Sequence, residues 1–133
     1  MADPARSPVI NWRNGVISKL GPCPIEEVLT DVAPLLIRGE SVLLAFKSAR
    51  DYVAFTSKRI IAVNLKGLTG KKRDYTSLPY TKYHVWTVGT SGGLDQDHQL
   101  EINLTVVGKL RFEFRGDVDM KHVSYIIAAN VLA

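Results

Sequence analysis

The amino-acid sequence predicts a mainly β domain: about seven short antiparallel strands in two packed sheets or a partly open barrel, capped by a C-terminal helix, with a further helix on the N-terminal side. Three features of the chain carry that expectation. From Gly39 onwards, short runs rich in β-branched and aromatic residues alternate with polar or glycine-bearing breaks. Two of the later runs alternate apolar and polar residues with a period of two, the mark of strands with one wet face. On either side of this stretch, apolar residues recur at helical spacing instead.

The elements follow in order. Residues 1–14 contain two prolines and no apolar period and read as a flexible arm ahead of a domain spanning 15–133. Gly15 to Leu20 reads as a helical turn before Gly21-Pro22. Pro24 suits a first helical position and is followed by Glu26 and Glu27, two acids at the positive end of a helix dipole. Ile25, Val28, Leu29 and Val32 form one apolar stripe, and Pro34 ends this helix near Ala33. The strands "SVLLAFKS", "YVAFTS", "RIIAVNL", "RDYTSL" and "KYHVWTVG" come next, followed by a glycine- and aspartate-rich loop. In the last hairpin Leu100, Ile102, Leu104 and Val106 face inward, then Leu110, Phe112 and Phe114 after the turn at Gly108. The strands thus occupy roughly 40–115 and the last helix roughly 117–132, with Asp117 as its N-cap, Asp119 in its first turn, and an apolar stripe of Met120, Val123, Ile127 and Val131 widened by Ile126.

At 133 residues the chain is one ordinary domain, long enough to bury a core without staples. A hydrophobic fraction of 46% and a charged fraction of 23% fit a soluble globular protein. No apolar run approaches the roughly 20 residues of a membrane span, and the start "MADPARSPVINW" lacks the layout of a secretory leader. The lone Cys23 excludes an internal disulfide and suits a reducing cytoplasm. The net charge of +4 is mildly favourable to anionic surfaces.

The stretch "RGESVLLAFKSARDYVAFTSKRIIAVNLKGLTGKKRDYTSLPYTK" adds specific words to this outline. Gly39-Glu40, Val42 to Lys47, Arg50-Asp51, Phe55-Thr56, Lys58-Arg59, Gly67 to Lys72, Tyr75, Ser77 and Pro79-Tyr80 closely resemble the bacterial pleckstrin-homology-like family. The similarity continues through Gly89 to Leu94, Leu100 to Ile102, Phe112 to Phe114 and the final helix, and the lead-in "GVISKLGPCPIEEV" resembles that family's N-terminal helix. The chain departs from the pattern at Arg38, where a proline is usual, and in the glycine-rich loop "GTSGGLDQDHQLEI". The resemblance implies a pleckstrin-homology-like fold without catalysis or cofactor. It also implies a closed homo-oligomeric ring, a pentamer favoured, in which edge strands of neighbouring copies meet and a hydrophilic surface faces an unidentified protein partner.

Several stretches hold residues with chemical potential. "KGLTGKKRDY" suggests a phosphate-binding loop, yet Gly67 and Gly70 are too close, Lys72 stands where Ser or Thr is required, and a strand follows where a helix is needed. Lys66, Lys71, Lys72 and Arg73 loosely fit the lipid-headgroup pattern of pleckstrin-homology domains, displaced to the turn between the third and fourth strands. They make peripheral binding to an anionic membrane surface the alternative function; a solvated turn is the plainer reading of the same residues, since charge runs are usually solvated faces. Asp95, Asp97 and Glu101 fall short of a calcium loop, and His84, His98 and His122 show no helical zinc spacing. Cys23 precedes a helix start, where a dipole lowers a thiol pKa, but no histidine base is identifiable for it. Tyr83, His84 and Trp86 put bulky groups on both faces of one strand, which is then either wholly buried or half of a protein interface. The expected protein is a cytoplasmic, non-catalytic assembly module with no metal, no cofactor and no nucleic-acid partner.

Overall fold

The computed structural model describes residues 10, 12–68, 71–90 and 97–133. Most of the arm, Thr69 and Gly70 of the basic turn, and Leu94 and Asp95 of the acidic loop lie outside the described residues. The structure is mainly β, with a short helix near the N-terminus and a longer one at the C-terminus. Among the described residues there are eight strands, one more than expected: β1 (Val16–Pro22), β2 (Val42–Lys47), β3 (Asp51–Thr56), β4 (Arg59–Lys66), β5 (Lys72–Pro79), β6 (Tyr83–Gly89), β7 (His98–Leu104) and β8 (Gly108–Phe114). The helices are α1 (Ile25–Val32) and α2 (Met120–Val131). The chain divides into two compact units, residues 21–80 and residues 1–20 with 81–133.

In the 21–80 unit, β2 to β5 form an antiparallel meander, and Gly21-Pro22 at the end of β1 pair with β2. One face of the meander is covered by α1: Val28 and Val32 pack with Ala45, Ala54, Ile61 and Val63, and Ile25 and Leu29 border the cluster. The predicted stripe is therefore the buried face of α1. Pro24 takes the N-cap position rather than the first helical one, and Pro34 sits in a single 3-10 turn that ends the helix.

In the other unit, β6, β7 and β8 form an antiparallel sheet, and Val16 to Leu20 of β1 lie beside β8 in parallel. This corrects the expected helical turn at Gly15 to Leu20. Ile17 and Leu20 are both buried, although an even strand would place them on opposite faces. A register shift between them, with Lys19 at φ 59°, turns both inward. The first residues described do not form a loose arm: Ile10 is buried, and Trp12 meets Phe112 edge-on at 5.5 Å.

The β7–β8 hairpin has the predicted faces, with Leu100, Ile102, Leu104, Leu110, Phe112 and Phe114 buried. Val106 is a correction, since β7 ends at Leu104 and Val106 is 86% exposed in the turn. On the wet face Glu101 lies opposite Arg111, and Lys109 reaches Glu101 at 3.7 Å. The last helix begins later than expected because Arg115 to Val118 make a turn first. Asp119, not Asp117, is its N-cap: the Asp119 carboxylate accepts from the Lys121 and His122 amides at 3.1 and 3.4 Å. Met120, Val123, Ile126 and Ile127 form the buried face of α2.

Candidate functional site

Two strands carry the features that the sequence singled out, and each has one open edge. Among the described residues β5 pairs only with β4, and β6 only with β7.

The double-sided look of "YHVWTVG" has a simple cause. Tyr83 lies opposite Leu104, but Val85, not His84, lies opposite Asn103, so His84 is an extra residue in a β-bulge. Beyond the bulge Trp86 and Val88 lie opposite Ile102 and Leu100. Tyr83, Trp86 and Val88 therefore share the face of the buried β7 residues, while Val85 and Thr87 turn to the wet face. The three candidate residues thus do different things: Tyr83 is buried, Trp86 is half-buried, and His84 is exposed. Val85, which periodicity alone assigns to the face of Tyr83, is 61% exposed. The His84 Nε2 hydrogen-bonds the Thr105 hydroxyl, and around them Tyr83, Leu104, Val106 and Val107 line an open depression of about 410 Å³.

The β5 edge is of a different character. It opens with Lys72, Arg73 and Asp74 and continues uncharged from Tyr75 to Pro79. The turn leading into it places Gly67 at φ 76°, a conformation that suits glycine, and the Arg50 guanidinium donates to the Gly67 carbonyl at 2.7 Å. The four predicted cations do not act together. Lys66 pairs with Asp74 at 2.8 Å, and Arg73 pairs with Asp31 of α1. Lys71 and Lys72 are exposed and make no ion pair among the described residues. The segment after the turn is a strand, as the argument against a phosphate loop requires.

Sequence reasoning missed the densest polar cluster. Glu40 is buried, and its Oε2 accepts from Arg59 Nε at 2.9 Å and from the Thr56 hydroxyl at 2.6 Å. Its Oε1 accepts from Arg59 Nη2 at 3.0 Å and from the Ile37 amide at 3.1 Å. Arg59 also donates to Ser77 Oγ and to the Leu35 carbonyl, and the buried Tyr80 hydroxyl donates to the Thr56 carbonyl at 2.8 Å. Burial pushes the Glu40 carboxyl up, but the hydrogen bonds from Arg59, Thr56 and Ile37 outweigh it and hold it below the usual glutamate value. Burial raises the Tyr80 phenol strongly, and the charge on Glu40 adds to that. This cluster ties the segment before β2, the β3–β4 turn and β5 together; every group in it is matched, so it has no spare valence for a substrate.

The remaining candidates stay apart. Burial raises the Cys23 thiol, Glu27 raises it further, and Lys47 offsets only part of this, the reverse of what a nucleophile at a helix start needs. His98 reaches the Gly116 carbonyl at 3.3 Å, far in sequence from His84 at its bulge and His122 on α2. No group of three or more metal-ligating side chains exists among the described residues, and no helix there is long and apolar enough to cross a membrane.

The comparisons agree with this architecture. The family model described as "Bacterial PH domain" matches residues 11–131. The uncharacterized protein YjqA of Bacillus subtilis is 33% identical over 121 residues, covering 87% of this chain and 94% of the relative. The uncharacterized protein YozO of the same organism is 29% identical, covering 73% and 83%. Among solved structures, a DUF1696 family protein with a pleckstrin-homology domain from Shewanella loihica superposes with a TM-score of 0.77 at 28% identity, covering 86% of this chain and 98% of the other. A pleckstrin homology domain from Shewanella amazonensis gives a TM-score of 0.65 at 32% identity, covering 83% and 100%.

Proposed function

The chain belongs to the bacterial PH domain family, and we propose that it works in it as a non-catalytic assembly module. Copies close into a homo-oligomeric ring, a pentamer favoured, through their strand edges, and the ring presents a hydrophilic surface to a protein partner. The observation that carries this reading is β6. Its seven residues contain no formal charge, its outer edge is unpaired among the described residues, and the bulge leaves Val85 61% exposed on it. Protein surfaces normally blunt such an edge with lysines, prolines, β-bulges or a covering element, because it templates pairing with another chain. The other open edge, on β5, carries these blunting devices at both ends, in Lys72 to Asp74 and in Pro79. β6 carries one such device, the His84 bulge near its start, but from Val85 to Gly89 it is uncharged and in even register, and that part of the edge is the surface offered for pairing. The wet face of β7 and β8, with Glu101, Lys109, Arg111 and Glu113, supplies hydrophilic surface for a partner.

The alternative, binding to an anionic lipid surface through residues 66–73, has less behind it. Of its four cations only Lys71 and Lys72 are outside ion pairs among the described residues. At roughly 1 kcal/mol per cation, two give weak attraction. The assembly reading is tested by light scattering of the pure protein beside Val85→Lys. A ring for the wild type and monomers for the variant are expected; a monomeric wild type at micromolar concentration refutes it.

A further inference from the structure

We propose that the depression at the start of β6 binds a small organic acid, with Lys82, His84 and Thr105 receiving its carboxylate and Val106 and Val107 its short apolar body. This goes beyond the assembly reading and uses none of the residues from Val85 to Gly89 on which that reading rests. The β-bulge makes the site. His84 is the residue left out of the β6–β7 ladder, and its ring reaches the Thr105 hydroxyl just past the end of β7. Bulges recur beside functional sites because they re-aim one side chain while the rest of the strand keeps its register. A neutral imidazole carries a hydrogen on one nitrogen and a lone pair on the other. If Nε2 accepts from Thr105, the Nδ1 hydrogen is left to donate; if Nε2 donates, the Thr105 hydroxyl hydrogen is left. Either way the pair keeps one donor for a ligand.

Charge selects the ligand. Lys82 is exposed, lines the same depression and makes no ion pair among the described residues. No carboxylate lines it, although the chain has 13 acidic residues. Cations elsewhere on the same sheet are matched: Lys109 reaches Glu101 at 3.7 Å, and Arg111 reaches Glu113 at 3.5 Å. The depression therefore has a cation and hydrogen-bond donors to spare and no anion of the chain's own. The rest of its lining is apolar. Tyr83 and Leu104 are buried beside it, Val107 is half-buried, and Val106 is 86% exposed in the turn, where it adds nothing to the core. An open space of about 410 Å³ with apolar walls and a few convergent polar groups has the make of a small-molecule site. A bare inorganic anion leaves the valines unused, and a neutral alcohol leaves Lys82 unpaired, so a short aliphatic acid fits both parts.

The test is a saturation-transfer NMR titration of the full chain at low salt with sodium hexanoate, beside hexan-1-ol, which lacks the charge, and sodium acetate, which lacks the body. Hexanoate is expected to bind saturably, and the other two at least about threefold more weakly. Lys82→Gln removes the cation and Val106→Asp sets a like charge at the rim; each is expected to weaken hexanoate at least about threefold, while Lys82→Arg keeps it. Both positions are exposed, so neither change threatens the fold, and unfolding curves matching the wild type's verify this. Hexanoate without saturable transfer overturns the proposal. So does hexan-1-ol or acetate binding as tightly, or hexanoate binding to Lys82→Gln or Val106→Asp as it does to the wild type. A loss in Lys82→Arg equal to that in Lys82→Gln overturns it too.

Discussion

Replacing Glu40 by Ala is the sharpest perturbation of this fold. The Glu40 side chain is 0% exposed and that of Arg59 is 19% exposed, so the pair is desolvated and depends on its partners. Truncation removes four acceptor contacts: Arg59 Nε at 2.9 Å, Arg59 Nη2 at 3.0 Å, the Thr56 hydroxyl at 2.6 Å and the Ile37 amide at 3.1 Å. The Thr56 hydroxyl can turn to the Arg59 carbonyl at 2.9 Å, but the guanidinium keeps only Ser77 and the Leu35 carbonyl, and the Ile37 amide is orphaned. Breaking one side of a buried pair costs about 3–5 kcal/mol. For 133 residues the unfolding entropy is about 0.28 kcal/mol/K, so the melting temperature falls by about 11–18 °C. Thermal unfolding followed by circular dichroism, at one protein concentration throughout because any association shifts Tm, reads this directly. Arg59→Met and the double variant complete a cycle, and a coupling of at least about 1.5 kcal/mol is expected because the double variant leaves neither charge stranded. A loss under about 1 kcal/mol, or a cycle additive within about 0.5 kcal/mol, refutes the reasoning.

Two further predictions concern the Glu40 carboxyl and the cap of α2. The Glu40 carboxyl is held below its ordinary value, so its stabilisation is fully present above that value, about pH 4.3, and is lost as pH falls through the folded one. The melting-temperature gap between wild type and Glu40→Gln, worth about 1.5–3 kcal/mol at neutral pH, therefore narrows on acidification, and a gap that stays constant contradicts the shift. Asp119→Ala removes the cap of α2 and is expected to cost about 1 kcal/mol in urea unfolding, whereas Asp117→Ala, outside the cap, costs less than half of that.

Periodicity revealed what obeys periodicity. The stripe of α1 and the alternating faces of β7 and β8 were legible because a helix or an even strand buries residues at fixed spacing. The failures share a cause, a single residue out of step. Lys19 at φ 59° makes β1 a strand with two inward residues where an even pattern allows one, and the extra His84 moves Val85 to the wet face. Nothing in the composition of "SKLG" or "YHVW" marks a bulge; the partner strand imposes it. Yet the mixed sidedness of residues 83–88 was itself the trace of the bulge. The ion pair of Arg73 was illegible for a different reason: Asp31 lies on α1, 42 residues from Arg73.

Several of the words that identify the family meet in one hydrogen-bonded network. Glu40, Thr56, Arg59, Ser77 and Tyr80 belong to the separate phrases "GE", "FT", "KR", "S" and "PY", and the structure joins them within hydrogen-bonding distance. Arg50 and Gly67, from "RD" and "GLTG", meet in the same way at the other end of β4. These residues close turns and fix the register of β2 to β5, so recognising them recognises the fold, and each is already matched inside the chain. Function then falls to what the network leaves out. Among the described residues those features include an uncharged open edge on β6, a partly guarded one on β5, and Lys71, Lys72 and Asp97 outside any ion pair. An open strand edge and unpaired surface charges are what a meeting with another surface uses, and it is on these that the proposed assembly rests.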